Sequence, residues 1–237
     1  MNRAIPIRKR KIGTRLLVLT VILYTLTPVA AQDTKVVKDL QLWTGAKIKK
    51  TFAKDWTVSL QEEIRLKQNV SEINNHFTEI GLRYRINKNF ALEGDFRYTW
   101  DKKKDKSYEG ISRYNFDLRY KGVIDFLTIN YRLRYQKEAE GMKVFEMNAP
   151  YVKQLRHRLT VRMNSLKQIE PYVSGEIFQV FTPYLSPEFK YYRVQAGIRY
   201  EPGNFGEFKL AWGFNRELGS DQPAMIYMFK VNYIYEF

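Results

Sequence analysis

The chain has 237 residues, no cysteine, 40 Lys+Arg against 25 Asp+Glu, and 36 aromatic residues. A disulfide, a thiolate nucleophile and a zinc site built on Cys are excluded; 44% apolar content excludes a disordered chain, and negative mean hydropathy excludes a polytopic helical membrane protein. One domain of ordinary size is expected, and the formal charge of +15 points to nucleic acid only if it belongs to the mature protein.

Part of that charge sits in the first segment. Arg3, Arg8, Lys9, Arg10, Lys11 and Arg15 precede the apolar stretch Leu16 to Leu26, and Pro28-Val29-Ala30-Ala31 follows. A basic region, a short apolar region and small residues are the layout of a secretory signal. Residues 1–31 are therefore expected to be a signal peptide cleaved near Ala31, and residues 32–237 the mature domain. The apolar stretch is too short to anchor the chain, since a spanning helix needs about 20 residues. The mature chain keeps 34 basic and 25 acidic residues, a net charge of +9. An exported protein has no access to chromosomal DNA or cytosolic RNA, so nucleic acid is not an expected partner.

From residue 40 onward the dominant signal is alternation with period two, the mark of strands with one apolar and one polar face. Trp56, Val58, Leu60, Ile64 and Leu66 alternate with Thr57, Ser59, Gln61, Glu63 and Arg65. Phe90, Leu92, Phe96, Tyr98 and Trp100 alternate with Ala91, Glu93, Asp95, Arg97 and Thr99. The spacing predicts strands at 40–49, 56–66, 76–86, 90–100, 110–120, 127–136, 153–164, 172–181, 189–200, 208–216 and 225–237. Most are long enough to cross a membrane when tilted.

Alternate connectors are longer, which in an outer-membrane barrel places the C-terminus on the periplasmic side. Bacterial barrels have even strand numbers. Residues 33–39 are therefore expected to add a twelfth strand; ten would require dropping 172–181 or 40–49. Aromatics at strand ends (Trp56, Phe90, Tyr120, Tyr200 and Phe208 by short turns; Trp100 and Tyr135 by long loops) read as two interfacial girdles. The expected fold is all-β: a transmembrane, antiparallel, up-and-down β-barrel of about 12 strands in the bacterial outer membrane, surrounded by its lipid.

The last strand carries Phe229, Val231, Tyr233, Tyr235 and Phe237 in one phase. It resembles the signal recognised by the barrel assembly machinery, with Tyr233, Tyr235 and Phe237 as its end. The mature chain also resembles the DUF2490 family of uncharacterised outer-membrane proteins from Bacteroidetes-type bacteria. The carrying features are Leu42-Trp43, Arg65, Leu82-Arg83-Tyr84-Arg85, Tyr131-Arg132-Leu133-Arg134-Tyr135, the run Pro171 to Phe178, and Arg193 through Gly197-Ile198-Arg199-Tyr200. This resemblance implies the fold and carries no activity.

With apolar positions facing lipid, the lumen is expected to receive Arg65, Arg83, Arg85, Arg97, Arg113, Arg119, Arg132, Arg134, Arg156, Arg158, Arg162, Arg193 and Arg199. The acids of the same phase are Glu63, Glu79, Glu93, Asp95, Asp117 and Glu176. Two readings follow. The charges form a salt-bridged filling, or they make a narrow channel or pocket that attracts small anions. The run from Asp101 to Lys106 reads as a solvated loop, or alternatively as a contact for lipopolysaccharide phosphates. His157 is expected on the lipid face. His76 is expected at the extracellular rim, where a second reading makes it the base of a lipid-modifying hydrolase with Ser71, Asn74 or Glu79 nearby. Glu62 and Glu63 cannot share an acid–base site, because adjacent strand residues face opposite sides. No metal-binding or cofactor motif is present.

Overall fold

The computed structural model describes residues 36–103, 105, 107–146, 150–164, 167–182 and 186–237. The expected signal peptide and its cleavage point lie outside them. The described chain is all-β, with strands β1 (Val37–Phe52), β2 (Trp56–Lys67), β3 (Glu72–Arg85), β4 (Phe90–Lys102), β5 (Tyr108–Ile124), β6 (Leu127–Glu140), β7 (Val152–Met163), β8 (Ile169–Phe181), β9 (Glu188–Tyr200), β10 (Glu207–Glu217) and β11 (Ala224–Glu236). Single 3-10 turns occupy Lys143–Phe145 and Gly203–Phe205. Each strand corresponds to one of the predicted windows, including 40–49 and 172–181.

Sequential strands pair antiparallel, and the sheet closes into a barrel through β1 and β11. That last pair is parallel and runs in register from Val37↔Ala224 to Lys49↔Glu236. Among the described residues there are thus eleven strands, where twelve or ten were expected. The even-number rule assumes antiparallel closure. Here the slanted bonds of a parallel ladder join the two edges, leaving neither open for a further strand. Residues 37–39, expected in a twelfth strand, are the start of β1. One further hydrogen bond, from Phe237 N–H to the Lys49 carbonyl at 3.1 Å, extends the seam.

Parallel closure fixes direction as well. β1 and β11 both run toward the end where β1 turns into β2, so the first described residues enter at the opposite end. The short-turn end carries connectors 53–55, 86–89, 125–126, 164–168 and 201–206; the loop end carries 68–71, 103–107, 141–151, 182–187 and 218–223. Strands extend further than their alternation predicts, so most loop-end connectors shrink, and the asymmetry rests mainly on 141–151. The described turn of that segment, Lys143–Phe145, packs against the outer face. Lys137 donates to the Val144 carbonyl at 2.8 Å, and the Phe145 ring stacks on Phe96 at 5.7 Å.

The two faces of the wall are inverted relative to a soluble protein. Ile48, Leu60, Ile64, Ile80, Leu82, Leu92, Phe116, Leu118, Leu210, Phe229 and Val231 are exposed on the outside, whereas Glu63, Glu79, Glu93, Asp95, Arg97, Asp117, Arg134, Arg156 and Glu176 are buried inside. At the short-turn end the outward aromatics pair across strands: Trp56 with Tyr84 at 4.7 Å, Phe90 with Tyr120 at 5.2 Å, and Phe208 with Tyr233 at 5.0 Å. At the loop end His76 stacks on Trp100 at 4.6 Å.

Candidate functional site: a basic lumen closed at one end

Because the side-chain period is two, the register that pairs strands also places charge opposite charge inside. Arg83 lies beside Glu93, Glu79 beside Arg97, Asp117 beside Arg134, and Glu176 between Arg158 and Arg193. The acids are all engaged. Glu79 takes Arg97 at 2.8 Å and Arg113 at 3.6 Å; Glu93 takes Arg83 and Arg119, each at 2.7 Å. Asp117 binds Arg134 at 2.6 Å and Arg119 at 2.8 Å, and Arg134 reaches on to Asp95 at 2.9 Å. Any side chain at Gly81 would collide with the Asp95 carboxylate, so a glycine on β3 makes the room this acid occupies. Glu93, Asp95 and Asp117 bring carboxylate oxygens within 4.8 Å of one another. Guanidinium groups of Arg83, Arg119 and Arg134 supply their counter-charge.

A second network centres on Glu176, which receives Arg132 at 2.6 Å, Arg156 at 2.9 Å and Arg193 at 3.6 Å. A third lies near the short-turn rim. There Glu170 holds Arg162 at 3.2 Å and Arg199 at 2.9 Å, and Glu207 holds Arg199 at 2.8 Å and Lys209 at 2.7 Å. Arg65 pairs with Glu63 at 2.8 Å, and Arg85 with Asp55 at 3.2 Å. Pairing of this kind offsets the desolvation of buried charges, and truncating one partner strands the other.

Three lumenal aromatics join these networks. Arg97 lies 3.3 Å from the Phe77 ring centre, Arg65 lies between Phe77 (5.1 Å) and Trp43 (3.9 Å), and Arg193 between Trp43 (5.1 Å) and Phe178 (5.0 Å). Arg156 completes the series at 4.3 Å from Phe178. Guanidinium and ring therefore alternate in a belt drawn from β4, β3, β2, β1, β9, β8 and β7, a favourable arrangement for desolvated cations. Phe77 and Met228 are 1% and 0% exposed, and Gln41, Asn75 and Val180 on the loop-end side of the wall are also buried.

Below the belt lies a cavity of about 1060 Å³. Its lining includes Arg65, Arg83, Arg85, Arg97, Arg113, Arg119, Arg132, Arg134, Arg156, Arg158, Arg162, Arg193 and Arg199, together with Glu63, Glu79, Glu93 and Glu176. Asp95 and Asp117 are buried in the wall behind it. Among the described residues, the connector residues that line it, Lys54, Asp55, Asn87, Lys88 and Asn89, all come from the short-turn end. The lumen is thus a cup open at that end. Among the described residues, twenty basic side chains line it against seven acidic ones, so the acids are used up and positive charge remains.

Lys47, Lys49, Lys209 and Lys230 also line the cup and were missed in the sequence, although Lys230 alternates with exposed Phe229 and Val231. Trp43 and Phe77 were missed because aromatics were assigned to the outer girdles. Their inward phase is readable from Gln41, Lys47 and Lys49 on β1 and from Glu79 on β3.

The expected rim chemistry does not assemble. His76 faces outward on Trp100, Glu79 faces the lumen on Arg97, and the Ser71 hydroxyl donates to the Gln68 carbonyl at 2.6 Å. His157 lies on the outer face, where its Nδ1 shares a 2.7 Å hydrogen bond with the Tyr131 hydroxyl. Glu62 is exposed and accepts a bond from Thr78 at 2.5 Å, while Glu63 is buried. In the lysine-rich run, Lys102 at the end of β4 pairs with Glu72 at 3.0 Å and Lys103 pairs with Glu109. Hydrogen bonds from Ser107 hold the Asp105 carboxyl below its usual range.

The family model described as "Protein of unknown function (DUF2490)" matches residues 40–213, from β1 into β10. Neither the comparison with curated proteins nor that with solved structures gave a match.

Proposed function

Since the chain belongs to the DUF2490 family, whose description carries no activity, we propose its role from geometry: an exported outer-membrane β-barrel whose basic lumen receives small anions from the short-turn end. The observation that carries this reading is the inversion of the wall, apolar outside and charged inside, which is stable where the surrounding solvent is lipid. In water, an exposed apolar band encircling the barrel would promote association. Aromatic pairs at the short-turn end and the His76–Trp100 stack at the other match the interfacial belts of such barrels. Assembly through the C-terminal strand belongs to the same reading, with Tyr233, Tyr235 and Phe237 presented to the assembly machinery.

The cup shape favours receipt of anions over free conduction. A steady current would have to pass the Trp43, Phe77, Phe178 and Met228 layer. Cell fractionation and heat-modifiable gel mobility test the membrane reading, with recovery in outer membranes expected; a soluble protein in the periplasm would overturn it. Planar-bilayer recording of the purified protein is expected to show no steady open state, and a stable unitary conductance would replace the cup with a channel.

A further inference from the structure

At the closed end of the cup, three cations gather around one indole. Arg65 lies 3.9 Å, Lys230 4.1 Å and Arg193 5.1 Å from the Trp43 ring centre. Arg158 lies beside this group, in register with Glu176, which is in turn in register with Arg193, and its Nη2 meets Gln195 on the strand that carries Arg193. These four basic side chains and the neighbouring Glu63 all line the cavity.

The local acids do not balance them. Glu63 is committed to Arg65. Glu176 reaches Arg193 only at 3.6 Å, because its closer contacts are Arg132 and Arg156. Among the described residues Arg158 has no carboxylate within ion-pair distance; its Nη2 meets only the Ser174 hydroxyl and the Gln195 carbonyl oxygen, each at 3.4 Å. Within the same set Lys230 has the indole and no ion pair, and Arg193 Nε has no hydrogen-bond partner. Like charges held together in a confined space repel unless an anion joins them. Two guanidinium forks and an ammonium, with donors uncommitted, match the equatorial oxygens of a phosphoryl group.

We propose that this cluster is a binding site for the phosphate group of a small phosphorylated molecule, with Arg158, Arg193 and Lys230 as its direct ligands and Trp43 as the platform that holds Lys230 in place. The volume of the cup exceeds what phosphate alone needs and stands at the upper limit of sites for small organic ligands. The ligand enters from the short-turn end and leaves its uncharged part toward the rim. The proposal deepens the anion-receiving reading above and rests on its solvent-filled cup, but it does not depend on where the barrel resides.

The test uses the folded protein in detergent, titrated separately with inorganic phosphate, glycerol phosphate and chloride, and followed by calorimetry and tryptophan fluorescence. Saturable binding of a phosphate compound but not of chloride is expected. Lys230→Met and Arg158→Gln should each weaken it about tenfold or more, the usual consequence of losing a charged hydrogen bond. Lys38→Gln, at the exposed start of β1, should bind as the parent does. Heat-modifiable mobility confirms that each variant is folded. Tighter binding of glycerol phosphate supports an organic phosphate, and equal binding of the two supports free phosphate as the ligand. Binding unchanged in both folded variants, or no selectivity over chloride, overturns the site, while membrane fractionation tests the location of the barrel independently.

Discussion

Arg134 and Asp117 face each other across the β5–β6 pair and are joined by two hydrogen bonds, Nε to Oδ1 at 2.6 Å and Nη2 to Oδ2 at 2.9 Å. The second nitrogen also reaches Asp95 on β4 at 2.9 Å, so one guanidinium ties three strands. The Asp117 side chain is fully buried, and removing its partner leaves charge behind. Arg134→Leu is expected to destabilise the folded barrel by about 3–5 kcal/mol. Arg134→Lys should also cost stability, since an ammonium cannot form the paired fork. Denaturant midpoints of the heat-modifiable form measure both; a loss below about 1 kcal/mol for the leucine variant would show that this network contributes little.

The outer band makes a prediction that a soluble barrel would not share. Ile80, midway along β3, is 53% exposed. Against lipid, Ile80→Arg should cost about 2–4 kcal/mol and reduce insertion. Against water, the same change at an exposed site should fall within about 0.5 kcal/mol. Folding of the variant into vesicles, compared with the parent, distinguishes the two environments.

Closure by a parallel seam can be locked chemically because the chain contains no cysteine of its own. Thr44 and Val231 are direct partners in the β1–β11 ladder, and strand partners lie about 5 Å apart, within disulfide reach. Thr44→Cys with Val231→Cys should cross-link intramolecularly on mild oxidation and shift gel mobility. Failure to cross-link, with both single variants folded, would argue for another strand between β1 and β11.

The belt predicts an asymmetry between two phenylalanines. Phe77 is buried between Arg65 and Arg97, whereas Phe116 is 61% exposed on the outer face. In detergent, Phe77→Ala should cost about 3–5 kcal/mol, the usual consequence of emptying an aromatic site. Phe116→Ala should cost much less. Equal losses would mean that the belt is not a packed layer.

Placement of His76 on Trp100 gives a functional control. His76→Phe preserves the stacked pair and should leave folding within about 0.5 kcal/mol of the parent. Any lipid hydrolysis measured in the parent should persist in this variant. Its disappearance would restore His76 as a catalytic base.

The amino-acid pattern by itself determined the all-β fold, the position of each strand and the inward phase of the arginines and acids. These are local properties: alternation with period two assigns every residue of a strand to one face, whatever its neighbours are. The 13 arginines assigned inward by phase accordingly line one cavity. Only the tertiary structure decided the strand number, because closure depends on how two edges from opposite ends of the chain meet, as Lys47 and Ile234 do, and a parallel seam leaves no local signature. It also decided which charges are paired. Glu176 sits in register with Arg158 and Arg193, yet its two closest cations are Arg132 and Arg156, reached diagonally through side-chain length and strand stagger. For the same reason, alternation could place Lys230 and Trp43 in the lumen but could not bring three cations to one indole, a meeting made by the curvature of the closed wall.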